Sequence, residues 1–212
     1  TIKGKLIAKK ENTAGGERVR TLLKVNEPAA YAGSSYLVIE ADNYLQDGMY
    51  VYLPAVGRAR RVSGTAADGA LLGTNFSYND FRQLQTAFVD SKSLLEDPET
   101  WTPQGQPPRQ AYVLSFTPSA DAQSRYSMIR MWVDQETCVP VKVELREGLN
   151  RVKELTVPVT GLAKSNNRWY ASEARMRDLV DGTQSVLKIT GTALGANVPN
   201  SNFDPATFYI GQ

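Results

Sequence analysis

In Val139-Pro140-Val141-Lys142-Val143-Glu144-Leu145-Arg146-Glu147, three valines and a leucine alternate with Pro140, Lys142, Glu144 and Arg146. Successive side chains of an extended chain point to opposite faces, so this period of two gives one dry face and one wet face. Working outward, the alternation recurs at 18–25, where Val19, Thr21, Leu23 and Val25 stand against Arg18, Arg20, Leu22 and Lys24. It returns at 184–190, where Leu187 and Ile189 stand against Gln184, Lys188 and Thr190. These segments read as strands of a half-exposed antiparallel sheet.

Further strands are expected at 2–10, 35–41, 49–54, 58–63, 111–117, 126–134, 151–159 and 168–178. Gly15-Gly16, Asp47-Gly48, Glu147-Gly148, Asn166-Asn167 and Asp181-Gly182 fall between them and signal short hairpin loops. About eleven strands without alternating helices predict a mainly β meander. At 212 residues the chain suits one core, and residues 1–212 read as a single domain.

Two stretches depart from the pattern. Ser77-Tyr78-Asn79-Asp80 precedes Phe81, Leu84 and Phe88 at i, i+3 and i+7, which predicts a short amphipathic helix opened by an approximate capping box. The stretch 96–110, with Pro98, Trp101, Pro103, Gly105, Pro107 and Pro108, reads as a long loop crossing the surface or an opening.

Composition removes several classes of function. Twenty-four basic and 22 acidic residues leave a net charge of +2, too balanced for nucleic-acid binding by general electrostatics. There is no histidine, so imidazole triads and the commonest zinc ligand are absent. No dinucleotide or phosphate-loop glycine motif occurs, and no acidic pair lies in a catalytic motif. We therefore expect no enzyme, cofactor or metal. Cys138 is the single cysteine and reads as a buried, inert thiol at the end of an apolar strand. No apolar run is long enough to span a membrane, and the sequence opens at Thr1 without a signal-peptide core, so an upstream segment is expected.

Two clusters have open readings on residue type alone. Arg58, Arg60 and Arg61 follow Tyr50-Val51-Tyr52-Leu53-Pro54. They suit a lipid phosphate or acidic partner, or an edge strand kept soluble by charge. Tyr36, Tyr50, Tyr52, Phe76, Tyr78, Phe81, Phe88, Trp101, Met128, Met131 and Trp132 suit an adaptable binding groove or an ordinary core.

Three motifs carry a family resemblance. They are Glu27-Pro28-Ala29-Ala30-Tyr31-Ala32-Gly33-Ser34-Ser35-Tyr36-Leu37, then Tyr50 through Gly64, then Leu72-Gly73-Thr74-Asn75-Phe76-Ser77-Tyr78-Asn79-Asp80-Phe81. With Met131-Trp132-Val133-Asp134 and Val139 through Glu144, they resemble the outer membrane lipoprotein-sorting protein family, relatives of the periplasmic carrier LolA and its receptor LolB. The resemblance implies a single curved, unclosed antiparallel β-barrel whose concave face is plugged by short helices. It also implies periplasmic residence in a Gram-negative bacterium and binding of lipid acyl chains or lipoproteins. Relatives usually carry a helical segment before the first strand, which this sequence lacks.

Periodicity and resemblance together nominate Leu37, Ile39, Met49, Val51, Leu53, Phe81, Leu84, Phe88, Met131, Trp132, Val141 and Val143 as cavity lining, with Arg58, Arg60 and Arg61 meeting a head group or partner. Release would need the helix or loop 96–110 to move. An inner-membrane transporter is a candidate partner. The rival readings are a periplasmic adaptor with a filled core and, less favoured, an enzyme acting on lipids or glycans.

Overall fold

The computed structural model describes residues 1–13, 16–40, 48–86, 91–103, 106–119, 124–193, 195 and 197–210; the side chains of Thr13 and of residues 83–86 lie outside that description. The chain forms two compact units: residues 1–72, 78–89 and 196–212, and residues 73–77 and 90–195.

The first unit is built on five antiparallel strands in chain order: β1 (Lys3–Thr13), β2 (Gly16–Glu27), β3 (Ser35–Ile39), β4 (Gly48–Leu53) and β5 (Arg58–Arg61). On one face, Tyr36, Val38 and Met49 pack with Val62, Ala67 and Leu71, joined by Leu23, Val51, Leu72, Tyr78 and Phe81. The cover on that face consists of two 3-10 turns, Gly64–Asp68 and Leu71–Gly73, and helix α1 (Tyr78–Thr86). On the other face, Leu22 and Leu37 pack with Phe203 and Phe208 of the C-terminal segment, joined by Ile7, Ile39, Tyr50, Tyr52 and Tyr209. Tyr209 stacks on Tyr52 with ring centroids 4.1 Å apart. The alternation of β3 thus has no wet side, and Ser35, Tyr36, Leu37 and Val38 are all buried.

The second unit holds an eight-strand sheet, in the order β15 (Gln184–Lys188), β14 (Glu173–Asp178), β11 (Asn150–Thr156), β10 (Pro140–Glu147), β9 (Met128–Asp134), β8 (Arg109–Pro118) and then β6 (Ser91–Leu95), with β7 (Glu99–Trp101) also paired to β8. A hairpin of β12 (Leu162–Ser165) and β13 (Arg168–Ala171) completes it. The hairpin turns on Asn166 and Asn167 at φ 45° and 64°, the left-handed pair that a tight turn between twisted strands requires. Across the large sheet, Leu114, Met131, Val143, Leu155 and Met176 line up through successive register pairs. Phe116, Ile129 and Leu145 form a parallel apolar row.

The fold is therefore mainly β, with curved antiparallel sheets that do not close. All eleven expected strands are present, 168–178 being divided into β13 and β14, and β6, β7 and β12 are added. They are shared between two sheets and a hairpin instead of running through one. The loop expected at 96–110 is shorter, because Glu99–Trp101 pairs with Arg109–Ala111 as β7. Its prolines flank the three-residue strand rather than interrupt it. Cys138 is exposed, not buried. It occupies a turn position at φ 56° whose amide donates to the Asp134 carbonyl, while Thr137 takes the inward place. No described helix is long and apolar enough to cross a membrane.

Phe208 is 1% exposed and lies in a turn that follows a short 3-10 helix, Asn200–Phe203. Phe208→Ala should lower unfolding free energy by about 3–5 kcal/mol. A loss under about 1 kcal/mol in equilibrium denaturation would mean that the C-terminal segment contributes little to the first unit.

Candidate functional site

The seam between the five-strand sheet and its helical cover gathers most of the nominated residues that any one face collects. Register pairing sets Leu23 opposite Tyr36, Tyr36 opposite Val51, and Val38 opposite Met49, so these side chains share the face beneath the cover. Tyr36 is the hub. Its ring lies 5.1 Å from that of Tyr78 and meets Phe81 edge-on at 5.8 Å, and its hydroxyl donates to the Tyr78 carbonyl at 3.0 Å. A cavity of about 10 Å³ remains, lined by Leu23, Val25, Ser34, Ser35, Tyr36, Val51, Leu71 and Leu72. That is room for about one water.

Two features of the cover oppose tight, permanent closure. Leu72 sits at φ 52°, a left-handed conformation that costs a non-glycine residue about 1 kcal/mol or more. Beside Tyr78 and Phe81, which pack on the floor, α1 also buries polar side chains, with Asn79, Asp80 and Arg82 all at or below 5% exposure. The Arg82 guanidinium donates to the Asn79 side-chain oxygen at 2.8 Å. Burial pushes Arg82 down to about 10, partly opposed by the neighbouring Tyr36 hydroxyl.

At the rim, Arg60 lies directly opposite Val51 and Arg58 opposite Leu53, which puts both arginines on the cover side of edge strand β5. Arg61 lies opposite Tyr50, on the other face.

The nominated residues therefore separate. Met49, Val51 and Phe81 meet in the seam, and Leu53 shares their face by alternation. Leu37 and Ile39 lie on the reverse face against the C-terminal segment. The Leu84 side chain and Phe88 fall outside the described residues. In the second unit Met131 and Val143 are register partners, and Val141 is fully buried beside the bulge that opens β10. Trp132 faces the opposite way from Met131, as Lys142, its register partner, shows. Tyr36, Leu23, Leu71, Leu72 and Arg82 were not nominated as lining. Pairing Met49 and Val51 back to β3 would have found Tyr36 and Val38, whereas nothing in the helix's sequence signalled a buried arginine.

Trp132 instead centres an ionic face of the large sheet. Arg130 and Lys142 stand over its ring at 4.7 and 4.2 Å, and its indole N–H donates to Glu99 at 2.8 Å. Arg130 also donates to Glu96 and Glu99. The indole and then Arg130 hold Glu99 below the ordinary glutamate range; Arg130 does the same for Glu96. Burial alone would raise Glu144, but Lys142, then Arg146 and Arg151, bring it below that range. Each carboxylate is held by its cations as a structural ion pair, with no raised acid among them to act as a proton donor. Among the described residues no three His, Cys, Asp or Glu side chains gather as metal ligands would.

Solved structures share this architecture. A DUF1329 family protein from Desulfovibrio piger superposes with a TM-score of 0.84 at 23% identity, covering 96% of this chain and 82% of that one. An outer membrane lipoprotein-sorting protein domain from Vibrio parahaemolyticus, described as putative, gives 0.76 at 20% identity, covering 95% and 81%. A LolA superfamily protein from Nitrosomonas europaea gives 0.67 at 18% identity, covering 99% and 91%. The fold is thus the LolA-like fold that the sequence motifs resemble. No curated protein matches the sequence. A family model described as "Uncharacterized protein" matches residues 17–208, and the chain belongs to that family.

Asp134 offers a check on the ionic face. Arg109 holds it below the ordinary aspartate value through paired hydrogen bonds at 2.7 and 2.9 Å, with Thr137 adding two more. A lowered folded pKa contributes stability above the unfolded value, near ~4, that is lost as pH falls through the folded value. Stability should therefore fall steeply below about pH 4. In Asp134→Asn it should be lower by about 2 kcal/mol at neutral pH, with a shallower acid slope, by urea titration at several pH values. An unchanged slope would remove Asp134 from the acid-labile groups.

Proposed function

We propose that the protein is a periplasmic carrier that binds the acyl chain of a lipid or lipoprotein between the five-strand sheet and its helical cover, in the service of outer-membrane sorting. The observation that carries this reading is the seam: a continuous apolar floor of Leu23, Tyr36, Val38, Met49 and Val51 under a thin, separable cover. The cover is a nine-residue helix and two 3-10 turns. Isolated helices of that length do not persist in water, so its stability comes from the floor it lies on. The LolA-like fold supports the reading at the level of architecture.

The energetics favour long chains. Lifting the cover exposes Leu71, Leu72, Tyr78 and Phe81, at a cost of roughly 2 kcal/mol each or about 8 kcal/mol in all. An entering chain returns about 0.8 kcal/mol per buried methylene, so about ten carbons are needed to break even. Binding requires no covalent chemistry, which fits the absence of an assembled acid–base pair among the described residues.

Palmitate-chain lipids should bind and octanoyl-chain lipids should not, in native mass spectrometry after incubation with vesicles of each. Tyr36→Phe removes only the hydroxyl that donates to the Tyr78 carbonyl. It should raise palmitoyl-lipid affinity about fivefold by lowering the cost of opening by about 1 kcal/mol. A gain cannot come from misfolding. No lipid bound by either protein would sink the carrier reading and favour the adaptor, to which the small cavity of about 10 Å³ already lends support.

A further inference from the structure

Seven of the fourteen arginines of this protein pair with carboxylates among the described residues. Arg20 pairs with Glu11, Arg109 with Asp134, Arg125 with Glu147, Arg130 with Glu96 and Glu99, Arg146 and Arg151 with Glu144, and Arg175 with Glu173. Arg58 and Arg60 are set apart by where they stand, since Arg168 and Arg177 are also exposed and without a carboxylate partner among the described residues. Arg58 and Arg60 are both exposed, and neither has an ion-pair or hydrogen-bond partner among the described residues. They are two positions apart on one strand, so they emerge on the same face about 7 Å apart along it.

Their position matters more than their charge. Arg60 is the register partner of Val51, whose side chain lines the cavity, and Arg58 is the partner of Leu53. Directly opposed residues in an antiparallel pair hold their Cβ atoms about 5 Å apart on one face. An acyl chain lying over Val51 would therefore end within reach of two guanidiniums, each presenting a forked set of donors that matches phosphate geometry. Solubilising an exposed edge strand needs charge on either face. It gives no reason for two unpaired cations on the side that carries the seam.

We propose that Arg58 and Arg60 form the head-group site of this seam, and that the preferred ligand is an amphiphile with an anionic phosphate head group. The inference rests on the acyl-binding reading above and adds its specificity. The phosphodiester oxygens take hydrogen bonds from both guanidiniums while the chain displaces the cover. Recognition by exposed cations is weakened by salt, so discrimination between head groups falls as ionic strength rises.

The test compares palmitoyl lysophosphatidylglycerol with palmitoyl lysophosphatidylcholine, which share a chain and differ in net head-group charge, by calorimetric titration below the micellar concentration. The anionic lipid should bind about tenfold more tightly at low salt, and the ratio should shrink toward one at ~0.5 M sodium chloride. Arg58→Gln with Arg60→Gln should abolish the difference by weakening the anionic lipid more than the zwitterionic one, with an unchanged circular dichroism spectrum and unfolding midpoint showing that the variant is folded. Equal binding of the two lipids by the native protein would overturn the head-group site and leave the acyl seam standing. Discrimination that survives the double substitution would overturn the assignment to these arginines. Binding of neither lipid would remove the seam itself. Glycerol phosphate serves as a control: tight binding without a chain would make this a free-phosphate site and overturn the proposal.

Discussion

The first unit depends on one five-residue strand that cannot present a wet face. In β3, Tyr36 and Val38 point to the helical cover while Leu37 and Ile39 point to the C-terminal segment, and four of its five residues are buried. A strand apolar on both sides must be covered on both sides, because each large side chain left in water forfeits about 2 kcal/mol. Neither cover is a sheet. One is assembled from short helical pieces and the other from a C-terminal segment with a single 3-10 turn, anchored by Phe203 and Phe208. The sheet thus stabilises elements that would not hold their shape alone.

The same constraint explains how much of the protein was legible in its sequence. Strand positions were readable because alternation is a local property, and Val141, Val143 and Leu145 against Lys142 and Glu144 admit one reading. The faces of β3 were not readable in the same way. When both parities are apolar, period two says that Leu37 and Tyr36 are separated but not which of them meets Met49. That is a register fact, fixed by the pairing of Val38 with Met49 across β4. Leu37 and Ile39 were grouped with Met49 and Val51 for this reason, and Trp132 was grouped with Met131 although neighbours on a strand never share a face. Local propensity was silent about β7 as well. Its three residues are held from outside, by the Trp132 and Arg130 bonds to Glu99 and by the side-chain bond from Gln110 to Thr100.

Polar residues account for the rest of what the sequence concealed. Arg82 and Asp80 lie on a short helix where solvent exposure is the ordinary expectation, yet both are buried. In the second unit the wet face of the alternation proved to be an organised set of ion pairs around Trp132 and Glu144. A buried carboxylate such as Glu144 is tolerated only because three cations converge on it; removing its partners would leave an uncompensated charge of the kind that costs several kcal/mol. The cross-strand pairs of this face, Arg151 with Glu144 and Arg130 with Glu96 and Glu99, favour one register.

The two sheets differ in a way that bears on function. The ionic face is rigid by construction, since moving one strand would break several charge-assisted bonds together. The seam of the first unit is held differently, by dispersion and apolar burial that includes Tyr78 and Phe81 of α1, and by one tyrosine hydroxyl. Apolar contacts are non-directional, so an acyl chain could replace the cover's side chains at similar free energy, with the Tyr36 hydroxyl bond to the Tyr78 carbonyl as the polar contact given up on the floor. Exchange of that kind is what a carrier needs and an inert core does not. A site that is full when empty of ligand, with only about 10 Å³ unfilled, is then no objection to binding. In the proposed carrier the cover would be the occupant that a lipid displaces, and the left-handed Leu72 would lower the cost of that displacement.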